Sequence, residues 1–260
     1  MAKINGKKQK VAVITGASSG IGREFAYEFA REGYQLVLIA RRIDRLEEIK
    51  KNVKTKTTII QADITKPSDI LNVLNIIKPL DISVFINNAG FGLSGTFISS
   101  DLQREVEMIE LNVKAMHVFT KVITRKMIKQ KHGYLLNIAS SAGLFPAGPY
   151  MSTYYATKSY VSSLTLAIAE ELKQMKSPIY IGCLCPGPVN TEFNDVAKVS
   201  FALKGISAKY CVKYTLRQMR KKKVLIVPTA QMKLAIFFSK FLPLDILIRL
   251  VSGQQKKKMG

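Results

Sequence analysis

The amino-acid sequence predicts an α/β fold: a doubly wound parallel sheet of about seven strands, helices on both faces, and a C-terminal helical extension. Two observations carry this. Short runs recur that are hydrophobic at nearly every position, as strands buried on both faces must be. Between them lie segments with apolar residues at helical spacing. The runs are VAVIT (11–15), YQLVLIA (34–40), TTIIQAD (57–63), DISVFINNAG (81–90), GYLLNIAS (133–140) and IYIGCLCPG (179–187), with a shorter VLIV (224–227) as a seventh. IGREFAYEFAREG (21–33), RRIDRLEEIKKN (41–52) and SDILNVLNIIK (68–78) alternate with them as amphipathic helices, and Gly33 stands where the first should stop.

At 260 residues the chain can bury a substantial core, and no repeat or linker interrupts it. It reads as one domain, with a body over 1–228 and an extension of the same domain over 229–260. The extension is apolar on most sides and then basic. Lys240, Pro243, Asp245 and Arg249 interrupt it, so two short helices hinged near Pro243 fit better than a membrane span. Such helices would pack on the protein over a substrate pocket, on a second subunit, or on a membrane surface beside the terminal lysines.

Charge is unbalanced, with 40 Lys and Arg against 18 Asp and Glu, a formal +22. A basic surface attracts nucleic acid, anionic lipid or a phosphorylated ligand. The lysines are scattered, which suits a small ligand better than nucleic acid. Cys183, Cys185 and Cys211 have no zinc spacing, and the first two alternate on one face of a buried run. That usage suits a reducing cytoplasm. His117 and His132 belong to no metal or nucleophile constellation, and no metal site is expected.

TGASSGIG (15–22) follows the first strand and opens the first helix. Gly16, Gly20 and Gly22 let the backbone turn tightly, and with Ser18, Ser19 and Ile21 they form a cradle for a pyrophosphate at the helix N-terminus. In STYYATKSYVSS (152–163), Tyr154 has Lys158 one helical turn on, whereas Tyr155 has Ser159 there. An ammonium beside a phenol favours the phenolate, so Tyr154 is the candidate acid/base and Tyr155 a packing residue.

With TGASSGIG, NNAG (87–90), the asparagine of LNVKA, NIAS, YxxxK and PGPVNT in this order, residues 11 to 191 resemble the short-chain dehydrogenase/reductase family. The resemblance implies a Rossmann-like dinucleotide-binding domain and reduction of a carbonyl, or oxidation of the alcohol, by hydride transfer. It implies Tyr154 as general acid/base, Lys158 on the nicotinamide ribose, Asn112 in a proton relay, and a serine that orients the substrate oxygen. Counting from the strand selects Ser140; counting back from Tyr154 selects Ser141. A strand end is stiffer than a loop, which favours Ser140. Asp63 is placed by the resemblance beside the adenine, Asn87, Ala89 and Gly90 along the cofactor, and Pro186, Gly187, Val189 and Thr191 at its nicotinamide end.

The second strand ends in IARR, with no acid to accept from a ribose 2′-hydroxyl before Asp44. Arginines there suit a 2′-phosphate, so NADP(H) is expected over NAD(H), with Arg41 as the contact. The resemblance implies a substrate pocket built from the region after PGPVNT and the loop before Tyr154, which here contribute Leu144, Phe145, Met151, Phe193 and Phe201, so an apolar substrate is expected. The resemblance implies a homodimer or homotetramer through the helices carrying Asn112 and Tyr154. The expected locale is cytoplasmic, with peripheral membrane contact through the extension as a further option. The alternative reading is a non-catalytic NADP sensor or a basic-surface protein binding nucleic acid or membrane.

Overall fold

The computed structural model describes residues 9–193, Ala197 and residues 205–256. Seven parallel strands form the main sheet in the order β3-β2-β1-β4-β5-β6-β9. They are β1 (Val11–Thr15), β2 (Gln35–Ala40), β3 (Thr57–Gln61), β4 (Ile82–Asn87), β5 (Tyr134–Ile138), β6 (Tyr180–Leu184) and β9 (Leu225–Ile226). Each expected run became a strand, trimmed where its ends turn into loops. Two residues of the expected VLIV pair with β6, Cys183 opposite Leu225 and Leu184 opposite Ile226. A small ladder of β7 (Val189–Asn190) and β8 (Ile206–Ser207) lies apart from this sheet. Two-residue pairings leave no periodic trace in the sequence.

Side chains alternate across the sheet, as the pleat requires. Ala12, Ile14, Leu36 and Leu38 pack under α1 (Gly20–Arg31), α2 (Ile43–Asn52) and α7 (Ala208–Arg220), meeting Phe25, Leu46 and Val212. Val13, Val37, Ile39 and Phe85 face the other way. There they meet Val73 of α3 (Pro67–Ile77), Phe119 of α5 (Met116–Gln130) and Leu172 of α6 (Ser152–Gln174). Gly33 ends α1 where the sequence places it, accepting no further turn. Cys183 and Cys185 share one buried face of the β6 exit, their sulfurs 3.5 Å apart.

The chain leaves β1 towards β2 and β3, then returns to place β4 on β1's other side. A crevice therefore opens beyond the C-terminal ends of β1 and β4, where ligands bind in folds of this kind. α4 (Leu102–Ile109) runs into α5 through a π-helical turn over Glu110–Ala115. Such single π turns concentrate at functional sites, and this one carries Asn112. The extension forms α8 (Ala230–Ser239) and α9 (Leu244–Lys256) on either side of Pro243, as the sequence predicts. Among the described residues no helix is long and apolar enough to cross a membrane.

Candidate active site

The glycine turn after β1 is held by a residue the sequence argument passed over. Asn88 donates from Nδ2 to the carbonyls of Thr15 and Gly16, each at 3.0 Å. Thr15 Oγ1 in return accepts from the backbone of Asn88 and Ala89, at 2.9 and 3.1 Å. The packing leaves no room for a Cβ on Gly16, which would lie 2.8 Å from both Asn88 Nδ2 and Ala89 Cα, and its φ of +62° is a second constraint. Gly22 faces inward rather than into the cleft: a Cβ there would meet the Gly16 carbonyl oxygen at 2.3 Å. It serves close packing of α1 on the turn. Ser19 caps α1 with its backbone alone and no acid occupies the first turn, so the positive helix end stays open towards the cleft.

A cleft of about 860 Å³ runs from this turn to the C-terminal helices. Of the expected cofactor residues, Gly16, Ser18, Ser19, Gly20 and Ile21 line it, as do Arg41, Asp63, Ala89 and Gly90. Pro186, Gly187, Val189 and Thr191 line it further along. Asn87 does not. Its side chain turns into the interior and donates to the Met116 carbonyl, Thr120 Oγ1 and Asn137 Oδ1 at 3.0, 3.3 and 3.2 Å. The reason is the strand's alternation: Asn87 and Asn88 point to opposite sides, and Asn88 has the cleft side.

At the end of β2, Arg42 pairs with Glu192 at 2.8 Å and reaches Ser18 Oγ at 3.3 Å. Arg41 gives its carbonyl to Gln61, while its side chain makes no hydrogen bond or ion pair among the described residues. Asp63 Oδ1 accepts from the Thr65 backbone and hydroxyl, which fixes the carboxylate at the cleft wall.

Midway along the cleft, α6 presents Tyr154 and Lys158 on one face, both buried. Ser140, just past β5, stands beside the Tyr154 phenol, close enough to favour its ionised form. Its Oγ also accepts from Ala142 N at 3.1 Å. Ser141 opens the following 3₁₀ turn with its N–H on the Pro186 carbonyl. The serine brought to Tyr154 is thus Ser140. Lys158 Nζ donates to the Ile138 carbonyl at 3.0 Å and sits 5.9 Å from the Tyr154 ring centre.

Asn112 is close to this group yet outside the cleft wall. Its Oδ1 accepts from Phe91 N at 3.1 Å; its Nδ2 donates to the Phe91 carbonyl at 2.8 Å and Thr157 Oγ1 at 3.1 Å. Thr157 in turn donates to the Tyr154 carbonyl at 2.8 Å. The amide therefore fastens the loop after β4 to the helix of Tyr154. Gly90 lies between: a Cβ there would come within 2.8 Å of Asn112 Oδ1 and 3.2 Å of Lys158 Nζ.

The electrostatics depart from the sequence argument. Burial pushes the Tyr154 phenol well above its ordinary range, and Ser140 beside it offsets this only in part. Burial lowers the Lys158 ammonium to about 8. The phenol is raised rather than depressed in the protein alone: burial dominates, and the Lys158 ammonium is directed at the Ile138 carbonyl. A protonated tyrosine suits a proton donor.

Beyond Tyr154 the cleft is apolar, lined by Phe145, Met151 and Phe193 as expected and also by Phe238, Leu242 and Leu250. Leu144 packs instead with Met232 and Ile236 against Met116 and Val161, since the 3₁₀ turn points it away from the cleft. Phe201 lies outside the described residues. No group of three or more metal-ligating side chains occurs among the described residues.

The residues present fit a nicotinamide dinucleotide: a cradle that a Cβ would fill, an open helix end, and a cleft leading to a tyrosine and lysine. Residues 10–199 match the sequence profile of the short chain dehydrogenases. The chain belongs to the short chain dehydrogenase family. This dehydrogenase is 32% identical over 199 residues to a very-long-chain 3-oxoacyl-CoA reductase of Pyrenophora tritici-repentis, covering 73% of this chain and 58% of that one. It thus spans little more than half the length of that fungal relative. It is 39% identical over 199 residues to an uncharacterized oxidoreductase of Staphylococcus saprophyticus, covering 74% and 79%. A short-chain dehydrogenase from Sphingobium yanoikuyae, solved with NADPH, superposes with a TM-score of 0.79 at 30% identity, covering 85% and 88%. The cleft of this family member is lined by residues that fit a nicotinamide cofactor.

Proposed function

We propose that this dehydrogenase reduces the ketone of a long apolar molecule to the alcohol, with NADPH as the cofactor. The observation that carries this is the placement of Tyr154, buried beside Ser140 and on one helical face with Lys158, where the glycine-lined half of the cleft meets its apolar half. When bound, the dinucleotide supplies the hydride for the carbonyl carbon. Ser140 holds the carbonyl oxygen beside the phenol. Tyr154 gives that oxygen its proton, so the carbon–oxygen double bond becomes an alcohol. Lys158 holds a positive charge under Tyr154 and offers its ammonium to ribose hydroxyls. Asn112, through Phe91 and Thr157, keeps the loop and helix in register and is the candidate for the relay that returns the proton. Phe91, Phe145, Met151 and Phe193 exclude water from the reacting atoms.

Support for NADPH comes from the second strand: no acid, and Arg41 and Arg42 at the cleft wall. The 2′-phosphate contact we assign to Arg41, whose guanidinium has no competing partner among the described residues. Support for a long chain comes from the apolar cleft and from the substrate class in the fungal relative's name. We further infer a cytoplasmic homo-oligomer built through α5 and α6, where Val122, Tyr160 and Leu166 are exposed.

The test is a titration with NADPH and NADH, following cofactor fluorescence at two salt concentrations, then turnover of long-chain ketones. Tight NADPH binding, weak NADH binding and ketone reduction are expected. Binding without turnover of any ketone would favour a sensor. Failure to bind either nucleotide would sink the reading.

A further inference from the structure

We propose that the outer faces of α8 and α9 dock on an anionic lipid bilayer and that the apolar substrate passes from the bilayer directly into the cleft. The proposal rests on the reading that the substrate is apolar.

Each of the two helices has an inner and an outer side. On α9, Leu247, Val251 and Gln255 follow one another at intervals of four and are buried against the cleft. Ile246 and Leu250, each one residue before a member of that buried row, lie round the helix from it and are exposed. On α8 and the turn after it, Leu234, Phe237, Phe238 and Phe241 fall at i, i+3, i+4 and i+7, a single seam. Their exposures are 57, 54, 59 and 70%. The aromatic rings meet each other edge to face: Phe237 lies 5.5 Å from Phe238 and 5.2 Å from Phe241. With Leu242 and Leu244, eight large apolar side chains within seventeen residues face solvent. A water-facing cluster of this density is the kind that marks an interaction surface.

Two features select a bilayer. One is charge: residues 229–256 carry Lys233, Lys240, Arg249 and Lys256 against Asp245 alone, in a chain of +22. Phenylalanine and leucine flanked by exposed cations suit the boundary between acyl chains and anionic headgroups. The other is continuity. Phe238, Leu242 and Leu250 belong to the exposed surface and also line the cleft, so the apolar lining of the site runs out onto this face, beside the exposed Gln231 and Gln254. A face that continues the substrate cavity serves a substrate dissolved in what covers it. A second copy of the chain would bring a second cluster of like charge and would stopper the opening.

The experiment is sedimentation of the full chain with phosphatidylcholine vesicles, with or without phosphatidylserine, in parallel with NADPH binding by fluorescence. The wild type should sediment with the anionic vesicles, less so as salt is raised. The double variant Phe237→Ser, Phe241→Ser should bind them at least about tenfold more weakly. Neither phenylalanine lines the cleft, so the variant should bind NADPH as the wild type does. With a vesicle-borne long-chain ketone its KM should rise at unchanged kcat, while a small soluble ketone should show no change. No sedimentation by a protein that binds NADPH would overturn the docking proposal and leave the reductase reading standing. Equal binding to uncharged vesicles would overturn it as stated. So would a concentration-dependent dimer, without vesicles, that the same two substitutions dissolve.

Discussion

The Tyr155 hydroxyl accepts a short, buried hydrogen bond from the Gln255 amide, joining residues a hundred positions apart. Tyr154 meanwhile turns to Ser140. Adjacent residues on a helix point about a quarter-turn or more apart, so the twin tyrosines divide two tasks. One faces the reacting oxygen and the other anchors the C-terminal helix that closes the apolar end of the cleft.

The two tyrosines should therefore fail differently. Tyr154→Phe removes the proton donor and should lower kcat by about 10²–10⁴-fold with folding intact. Tyr155→Phe leaves the Gln255 amide unpaired, at a cost of about 1–3 kcal/mol. Its expected mark is a lowered Tm and a raised KM for the apolar substrate. Steady-state kinetics beside thermal unfolding separates them, and equal losses of kcat would refute the division.

Cofactor choice turns on three side chains. Arg41→Ala should weaken NADPH binding by about tenfold or more while leaving NADH binding nearly unchanged, since it removes a charge-assisted bond to one phosphate. Glu192→Gln should act in the opposite direction. It frees Arg42 from its 2.8 Å pair and takes an anion from the neighbourhood of the phosphate. Fluorescence titration of both nucleotides checks each sign.

The rate should fall in alkali because of the lysine. Lys158 is charged below its value of about 8 and neutral above it. Tyr154, pushed far higher by burial, keeps its proton throughout that range. Reduction kcat/KM should be flat below about pH 7.5 and decline through about 8 to 8.5. Lys158→Arg should move the decline to higher pH, and a limb that stays in place would assign it to another group.

Asn87 should prove structural. Asn87→Ala would leave Met116, Thr120 and Asn137 short of a buried donor, costing about 1–3 kcal/mol of stability. NADPH affinity should hardly move. Asn88→Ala should do the reverse, releasing the glycine turn and weakening the nucleotide. Denaturation and titration of both variants distinguish the roles.

The sheet was legible because central strands such as β1, β2 and β4 are short, apolar on both faces and rich in Val and Ile, and alternate with amphipathic helices. The glycine turn and the Tyr154–Lys158 spacing were legible because both are local. What the sequence hid was direction. Nothing in NNAG says which of Asn87 and Asn88 faces the cleft; the pleat decides, and its phase is set by Phe85 and Ile86 packing on opposite sides. The serine ambiguity had the same origin, an irregular loop between β5 and α6. The pH behaviour was misjudged because pair spacing carries no information about burial. Gln255 gave no signal, since its partner is distant in sequence.

The placement of Gln255 bears on how the protein is handled. It is the penultimate residue of α9 and belongs to the cleft lining. A label attached at this last turn of α9 would stand on the doorstep of the substrate chamber.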